Sequence, residues 1–288
     1  MKKLLIVLLM LAFMVPALSE ENAPYVPVQS LPGTYLLLCK EASGTVTKIE
    51  YPAHNWYTDK SECVKSAYIY LPYGYDETLE YPLLILCHGI GGSESEWGMT
   101  SNTSKLACMM SNLIYKGEIR PFIIVTPNCR AGKTSDMGAF YRFGDEIRND
   151  LLPYLEEHYA VSKNREDRAM AGLSMGGMQT INIGMGECLD LFSWFGAFSA
   201  APTSNTAAVT AAKLNASGYN VSFFYSICGL EDNTAYASDC AAIDGITEKT
   251  DKRTDANFLR QELHGNHGFY IWNLGFFNFA RIFGGYKG

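Results

Sequence analysis

The stretch with the clearest chemistry is Gly172-Leu173-Ser174-Met175-Gly176, which follows the short apolar run Ala169-Met170-Ala171. A strand that ends in Gly-x-Ser-x-Gly and passes straight into a helix makes a nucleophile elbow, with the serine hydroxyl raised above the sheet. Side chains at Gly172 and Gly176 would collide across so sharp a turn. The N–H of Met175 would open the following helix and point at a developing oxyanion. A serine hydroxyl is a poor nucleophile by itself. The chain must therefore supply a base, a carboxylate to orient that base, and a second oxyanion donor.

The second donor is expected after another buried strand. Leu83-Leu84-Ile85-Leu86-Cys87 is a continuous apolar run, and His88-Gly89-Ile90-Gly91-Gly92 follows it. The glycines let the backbone approach a substrate closely, and the N–H of Ile90 is assigned to the oxyanion. His88 reads as an orienting residue that hydrogen-bonds within the turn. The carboxylate is sought past the strand-like run Val221 to Cys228, where Gly229-Leu230-Glu231-Asp232 lies. Asp232 is the choice and Glu231 the runner-up. The base must then be a histidine further along the chain. His264 falls at the end of the last strand, whereas His267 lies in Gly265-Asn266-His267-Gly268-Phe269, a turn from which an imidazole can reach Ser174. His267 is preferred.

These residues need a scaffold that brings strand ends together. Strand-like runs recur at 45–51, 64–71, 83–87, 122–126, 168–173, 193–198, 221–228 and 259–264. Helical segments lie between or after them at 105–116, 144–159, 175–185, 206–215, 237–249 and 271–283. The central runs are apolar throughout, which suits strands buried on both faces. Strands alternating with helices imply an α/β class, a mostly parallel sheet with helices on both faces. The first two runs look like antiparallel strands at its edge. Pro153 falls inside the 144–159 segment and should kink it. In such sheets ligands bind beyond the carboxyl ends of the strands, which is where all the candidate residues fall.

The 288 residues are 48% hydrophobic and 18% charged, enough for one large domain. A net charge of −7 gives no ground for a nucleic-acid or anionic-membrane partner. Met1-Lys2-Lys3, the apolar run Leu4 to Val15 and the small residues Ala17-Leu18-Ser19 read as a signal peptide cleaved after Ser19. Residues 20–33 read as an irregular lead-in and 34–288 as the domain. No later stretch is long and apolar enough to span a membrane, so export without an anchor is expected. The eight cysteines permit disulfides but contain no C-x-x-C, and their pairing stays open.

In these motifs the chain resembles the esterase D-like α/β-hydrolases, and within them the feruloyl and acetylxylan esterases of carbohydrate esterase family one. The resemblance runs through Tyr70-Leu71-Pro72-Tyr73-Gly74-Tyr75 and from Tyr81 to Trp97. It continues at Asp150-Leu151-Leu152-Pro153-Tyr154-Leu155-Glu156, at Asp167 to Gly177, at Cys228 to Asp232, and at Gly265 to Phe269 with Trp272. It implies the α/β-hydrolase fold, a nucleophile at Ser174, an acid at Asp232, a base at His267, and oxyanion N–H groups at Ile90 and Met175. It also places a proline in the helix before the elbow strand. The implied reaction is hydrolysis of feruloyl or other hydroxycinnamoyl esters, or of acetyl esters, on plant cell-wall xylan. An acyl-enzyme carries the reaction, with no metal or organic cofactor. Trp97, Tyr141, Phe269 and Trp272 lie near strand-end loops and could stack on a phenolic ring or a sugar. Three other readings are weighed: a siderophore-ester or other small-ester hydrolase of the same superfamily, an acyltransferase, and a non-catalytic carbohydrate-binding relative.

Overall fold

A computed structural model describes residues 25–286. The expected cleavage site after Ser19 lies outside the described residues. Eight strands form one sheet: β1 (Thr45–His54), β2 (Glu62–Leu71), β3 (Leu83–Cys87), β4 (Ile123–Pro127), β5 (Arg168–Leu173), β6 (Trp194–Phe198), β7 (Phe223–Gly229) and β8 (Phe258–Leu263). Their order is β1-β2-β4-β3-β5-β6-β7-β8. β1 pairs antiparallel with β2, and β2 with β4, while every other pairing is parallel. The sheet is therefore mostly parallel with an antiparallel amino-terminal edge.

Alternation along the buried strands sorts side chains into two layers. Leu83, Ile85 and Cys87 of β3 join Ile123 and Val125 of β4 on one face, while Leu84, Leu86 and Ile124 point to the other. The second face is covered by α1 (Lys105–Tyr115) and α7 (Phe269–Phe283), which contribute Leu106, Leu113, Phe276 and Phe279. The first face is covered by α2 (Phe143–Glu146), α3 (Leu152–His158) and α4 (Met175–Gln179), through Phe143, Leu152, Leu155 and Met178. α5 (Ala207–Ala216) and α6 (Tyr236–Ile243) add Leu214, Ala242 and Ile243 to the same layer.

Three helical segments depart from the sequence reading, the 175–185 segment by widening into a π turn at Thr180–Gly184 after α4. Between α2 and α3 the chain widens into a π turn, Ile147–Leu151, immediately before Pro153, so the helix absorbs the proline as a local change of winding. The expected helix 237–249 stops at Ile243, because Asp244 is extended and Gly245 takes φ +66°. No helix among the described residues is long and apolar enough to cross a membrane.

The elbow glycines meet the sheet backbone directly. A Cβ on Gly176 would sit 2.5 Å from the Cys87 carbonyl oxygen, and one on Gly172 would sit 2.7 Å from the Gly176 backbone. Neither obstacle is a side chain that can swing away. Gly176→Ala is therefore expected to cost about 3 kcal/mol, the upper end for an overpacked interior. Urea unfolding checks this, and an unchanged midpoint would refute the close approach as a constraint.

Candidate active site

Ser174 stands between β5 and α4 with φ 52° and ψ −111°, a left-handed backbone that a non-glycine residue adopts only when its surroundings hold it. They do so through three bonds. The Ser174 N–H donates to Phe198 O at 2.9 Å, and its carbonyl accepts from Met178 N–H and Ala201 N–H, each at 3.0 Å. The hydroxyl is thereby fixed above the sheet.

His267 reaches it from the loop between β8 and α7. Its Nε2 lies 3.0 Å from Ser174 Oγ and its Nδ1 2.7 Å from Asp232 Oδ2. A carboxylate only accepts, so Nδ1–H donates to Asp232, and Nε2 is left to accept the serine proton. Asp232 follows β7 and is buried. Its Oδ1 accepts backbone N–H groups from Thr234 at 3.1 Å and Ala235 at 2.8 Å, which fixes the carboxylate plane. The runners-up pair with each other instead. His264 Nδ1 is 2.7 Å from Glu231 Oε1, and Glu231 Oε2 also accepts Gly265 N–H at 2.6 Å. That exposed pair braces the loop carrying His267, and the imidazole beside it holds Glu231 below the usual carboxylate range.

The loop after β3 is tied at several backbone atoms. Gly89 N–H donates to Glu96 Oε2 at 2.6 Å, and Gly92 N–H to Gly89 O at 3.2 Å. The His88 ring donates from Nδ1 to Gly89 O at 2.7 Å, and its Nε2 accepts Cys129 N–H at 3.0 Å. The Arg130 guanidinium donates to Ile90 O at 2.6 Å and Gly92 O at 3.1 Å. Among the described residues the Ile90 N–H has no acceptor, and Met175 N–H, at the first position of α4, has none within its helix. The Ile90 and Met175 N–H groups are thus unengaged, on the segments that follow β3 and β5.

The four aromatic candidates divide. Trp97 is only 3% exposed, and its indole N–H donates to Cys87 O at 2.9 Å. Trp272 is 8% exposed. Phe269 and Tyr141 are 38% and 40% exposed and face outward. Trp97, Phe269, Trp272 and His267 form a chain of edge-to-face contacts with centroids 6.0, 5.0 and 5.0 Å apart, so the two tryptophans shape the wall behind the imidazole. The sequence reading passed over two exposed residues, Leu230 just after β7 and Tyr270 in the first turn of α7. The Ile90 side chain, in the loop after β3, is exposed as well. The adjacency of Leu230 and Tyr270 to motif residues was the available signal.

The matching family model, described as "Putative esterase", covers residues 60–239. The chain belongs to this esterase family. It is 32% identical over 190 residues, 62% of its length, to endo-1,4-beta-xylanase Y of Acetivibrio thermocellus. It is 34% identical over 137 residues, 43% of its length, to an endo-1,4-beta-xylanase/feruloyl esterase of Xylanibacter ruminicola. It spans only 16% and 18% of those two relatives. Among solved structures it is similar to a feruloyl esterase module from Clostridium thermocellum in complex with sinapinate. There the identity is 27%, the TM-score 0.75, and 91% of this chain and 94% of that one are covered. The chain shares the α/β-hydrolase fold of that module.

Two measurements probe the loop after β3. Burial pushes the His88 imidazole down to about 4. Above its ordinary value near 6.5 the ring is neutral in both folded and unfolded chains, and its stabilising effect is complete. As pH falls from there toward about 4, the unfolded chain takes a proton that the folded one refuses. Stability is expected to fall by on the order of 3 kcal/mol over that window. Urea midpoints should show this slope flattened in His88→Gln; an identical slope would assign it elsewhere. Arg130→Ala is expected to lower kcat about tenfold with little change in KM, because it frees the loop that carries one oxyanion donor. A change confined to KM would contradict this.

Proposed function

We propose that this chain is an exported serine esterase that hydrolyses hydroxycinnamoyl esters of plant cell-wall xylan, feruloyl esters foremost, through an acyl-enzyme. The observation that carries the reading is the alignment of Ser174 Oγ, His267 Nε2 and Asp232 Oδ2.

In this mechanism His267 takes the Ser174 proton as Oγ attacks the ester carbonyl. The tetrahedral oxyanion sits between the N–H groups of Ile90 and Met175, each worth about 2.7 to 4 kcal/mol of barrier. Asp232 holds the Nδ1–H tautomer and stabilises the imidazolium. His267 then gives its proton to the departing alcohol, leaving the acyl group on Ser174. Water, deprotonated by the same nitrogen, attacks the acyl-enzyme. Loss of Oγ, which recovers its proton from His267, frees the acid. These steps use only this chain's own groups.

The choice of acyl group rests on exposed apolar surface. Ile90, Tyr141, Leu230, Phe269 and Tyr270 are exposed apolar and aromatic residues on the segments that follow β3, β4, β7 and β8, more such surface than an acetyl group would need. A relative whose name includes feruloyl esterase and a structural neighbour that holds sinapinate, itself a hydroxycinnamate, support the same choice. The relatives named as xylanases support xylan as the carrier. Export follows from the amino-terminal basic and apolar segments.

The test is release of ferulate against acetate from arabinoxylan by the purified protein. Ferulate is expected to predominate. Ser174→Ala should abolish release, and Asp232→Asn should lower kcat by about 10⁴, the cost of the wrong tautomer. Acetate release without ferulate would refute the acyl assignment. Activity surviving Ser174→Ala would refute the nucleophile.

A further inference from the structure

Beside the loop after β3 lies a cavity of about 460 Å³ that the reaction does not use. Its walls come from β1, β2, the loop after β3 and the loop after β4, through Glu50, Ser66, Glu94, Asn128, Lys133 and Thr134. The sheet register locates it. Gly172 of β5 pairs with Cys87 of β3, Ile85 pairs with Val125 of β4, and Pro127 pairs with Ala67 of β2. Carried to the strand ends, Ser174, Gly89, Cys129 and Lys65 fall in one row, and Lys65 lines the cavity. Three strand spacings of ~4.8 Å put the cavity about 14 Å from Ser174 along the same rim of the sheet.

The cavity is built on fixed parts. Below it the buried Lys65 ammonium donates to Asn128 O at 2.8 Å, to Arg130 O and to Glu146 Oε2 at 2.6 Å, so all three of its protons are engaged. Gly132, at φ +118°, lies against Asn55, whose Oδ1 accepts Lys133 N–H at 2.9 Å. On the far wall Glu94 accepts from Ser66 Oγ at 2.7 Å and pairs with Lys48 at 3.3 Å. The charges around the cavity thus cancel. Lys65 offsets Glu146 and Lys48 offsets Glu94, which leaves one carboxylate, Glu50, and one ammonium, Lys133. Their side chains make no hydrogen bond or ion pair among the described residues. The Asn128 amide N–H₂ and the Thr134 hydroxyl add further free donors.

A wall that offers separated donors and acceptors with no net charge fits a neutral polyhydroxylated chain, whose hydroxyls both donate and accept. It fits neither an anion nor a cation. We propose that this cavity is a distal subsite for sugar units of the polysaccharide that carries the ester. The subsite deepens the reading of the chain as an esterase of xylan esters and rests on it. The chain would lie along the rim of the sheet, with its ester at Ser174 and a sugar a few units away held between Glu50 and Lys133. The loop 128–134 serves both places, because Arg130 reaches from it to the carbonyls of Ile90 and Gly92.

The test compares kcat/KM on methyl ferulate with kcat/KM on a feruloylated arabinoxylan oligosaccharide, for the parent and for Glu50→Ala and Lys133→Ala. Each substitution is expected to lower the oligosaccharide-to-methyl-ester ratio by about five- to tenfold, through KM, as loss of one or two hydrogen bonds would. Thermal melts show whether each variant is folded. Should either fail, Glu50→Gln and Lys133→Met carry the same expectation. An unchanged ratio in folded variants overturns the subsite while leaving the esterase reading intact. A parent that releases ferulate from neither substrate overturns that reading itself.

Discussion

The left-handed backbone at Ser174 is the constraint on which the site depends. It raises Oγ clear of β5, turns the chain at once into α4, and frees Met175 N–H at the start of that helix. Nothing in a serine favours φ 52°, so the conformation is held by bonds to Phe198 and Ala201 on the neighbouring strand end and by Met178 within the helix. The turn also presses Gly172 and Gly176 against Cys87 of β3. Strand β3 thus does two things at one point. It receives the elbow, and it sends out the loop that carries Ile90. The placement of Ser174 relative to the loop that carries Ile90 follows from the packing of two adjacent strands.

The other half of the site is arranged by the loops after β7 and β8. Consecutive carboxylates, Glu231 and Asp232, take histidines three residues apart, and they do different work with them. The buried pair, Asp232 and His267, points inward to Ser174, whereas the exposed pair, Glu231 and His264, ties down the chain just before it. Burial separates the two roles. A carboxylate that accepts two backbone N–H groups in a dry interior keeps its geometry while the imidazole beside it changes charge.

Much of this could be read from the chain. The continuous apolar runs at 83–87 and 168–173 mark strands buried on both faces. The elbow pattern and the chain order of acid and histidine lead to Ser174, Asp232 and His267, which the fold brings within hydrogen-bond reach of one another. What could not be read is tertiary in origin. No local pattern tells that Arg130 crosses to the carbonyls of Ile90 and Gly92, since that contact spans about forty residues of chain. Nor does a tryptophan at position 97 announce that its N–H will be taken by Cys87 O. The early end of α6 turned on Asp244 and Gly245, a helix stop that polar spacing alone obscures. Pro153 was legible as a disturbance, but its accommodation by a π turn was not.

Arg130 has a consequence for how such an enzyme can change. The loop from Asn128 to Thr134 holds the carbonyls of Ile90 and Gly92 through Arg130 and also forms one wall of the neighbouring cavity. An insertion or replacement there that adapts the wall to a differently branched carrier also moves the guanidinium, and so taxes turnover. Phe269 packs on Trp97 of the segment after β3, whereas the exposed Leu230 and Tyr270 side chains make no hydrogen bond to it among the described residues. On the proposed function, acyl preference is therefore free to drift through single substitutions at those two residues, while carrier preference is confined to positions such as Glu50 and Lys133, whose side chains leave the guanidinium in place. Natural diversification and laboratory selection face the same asymmetry.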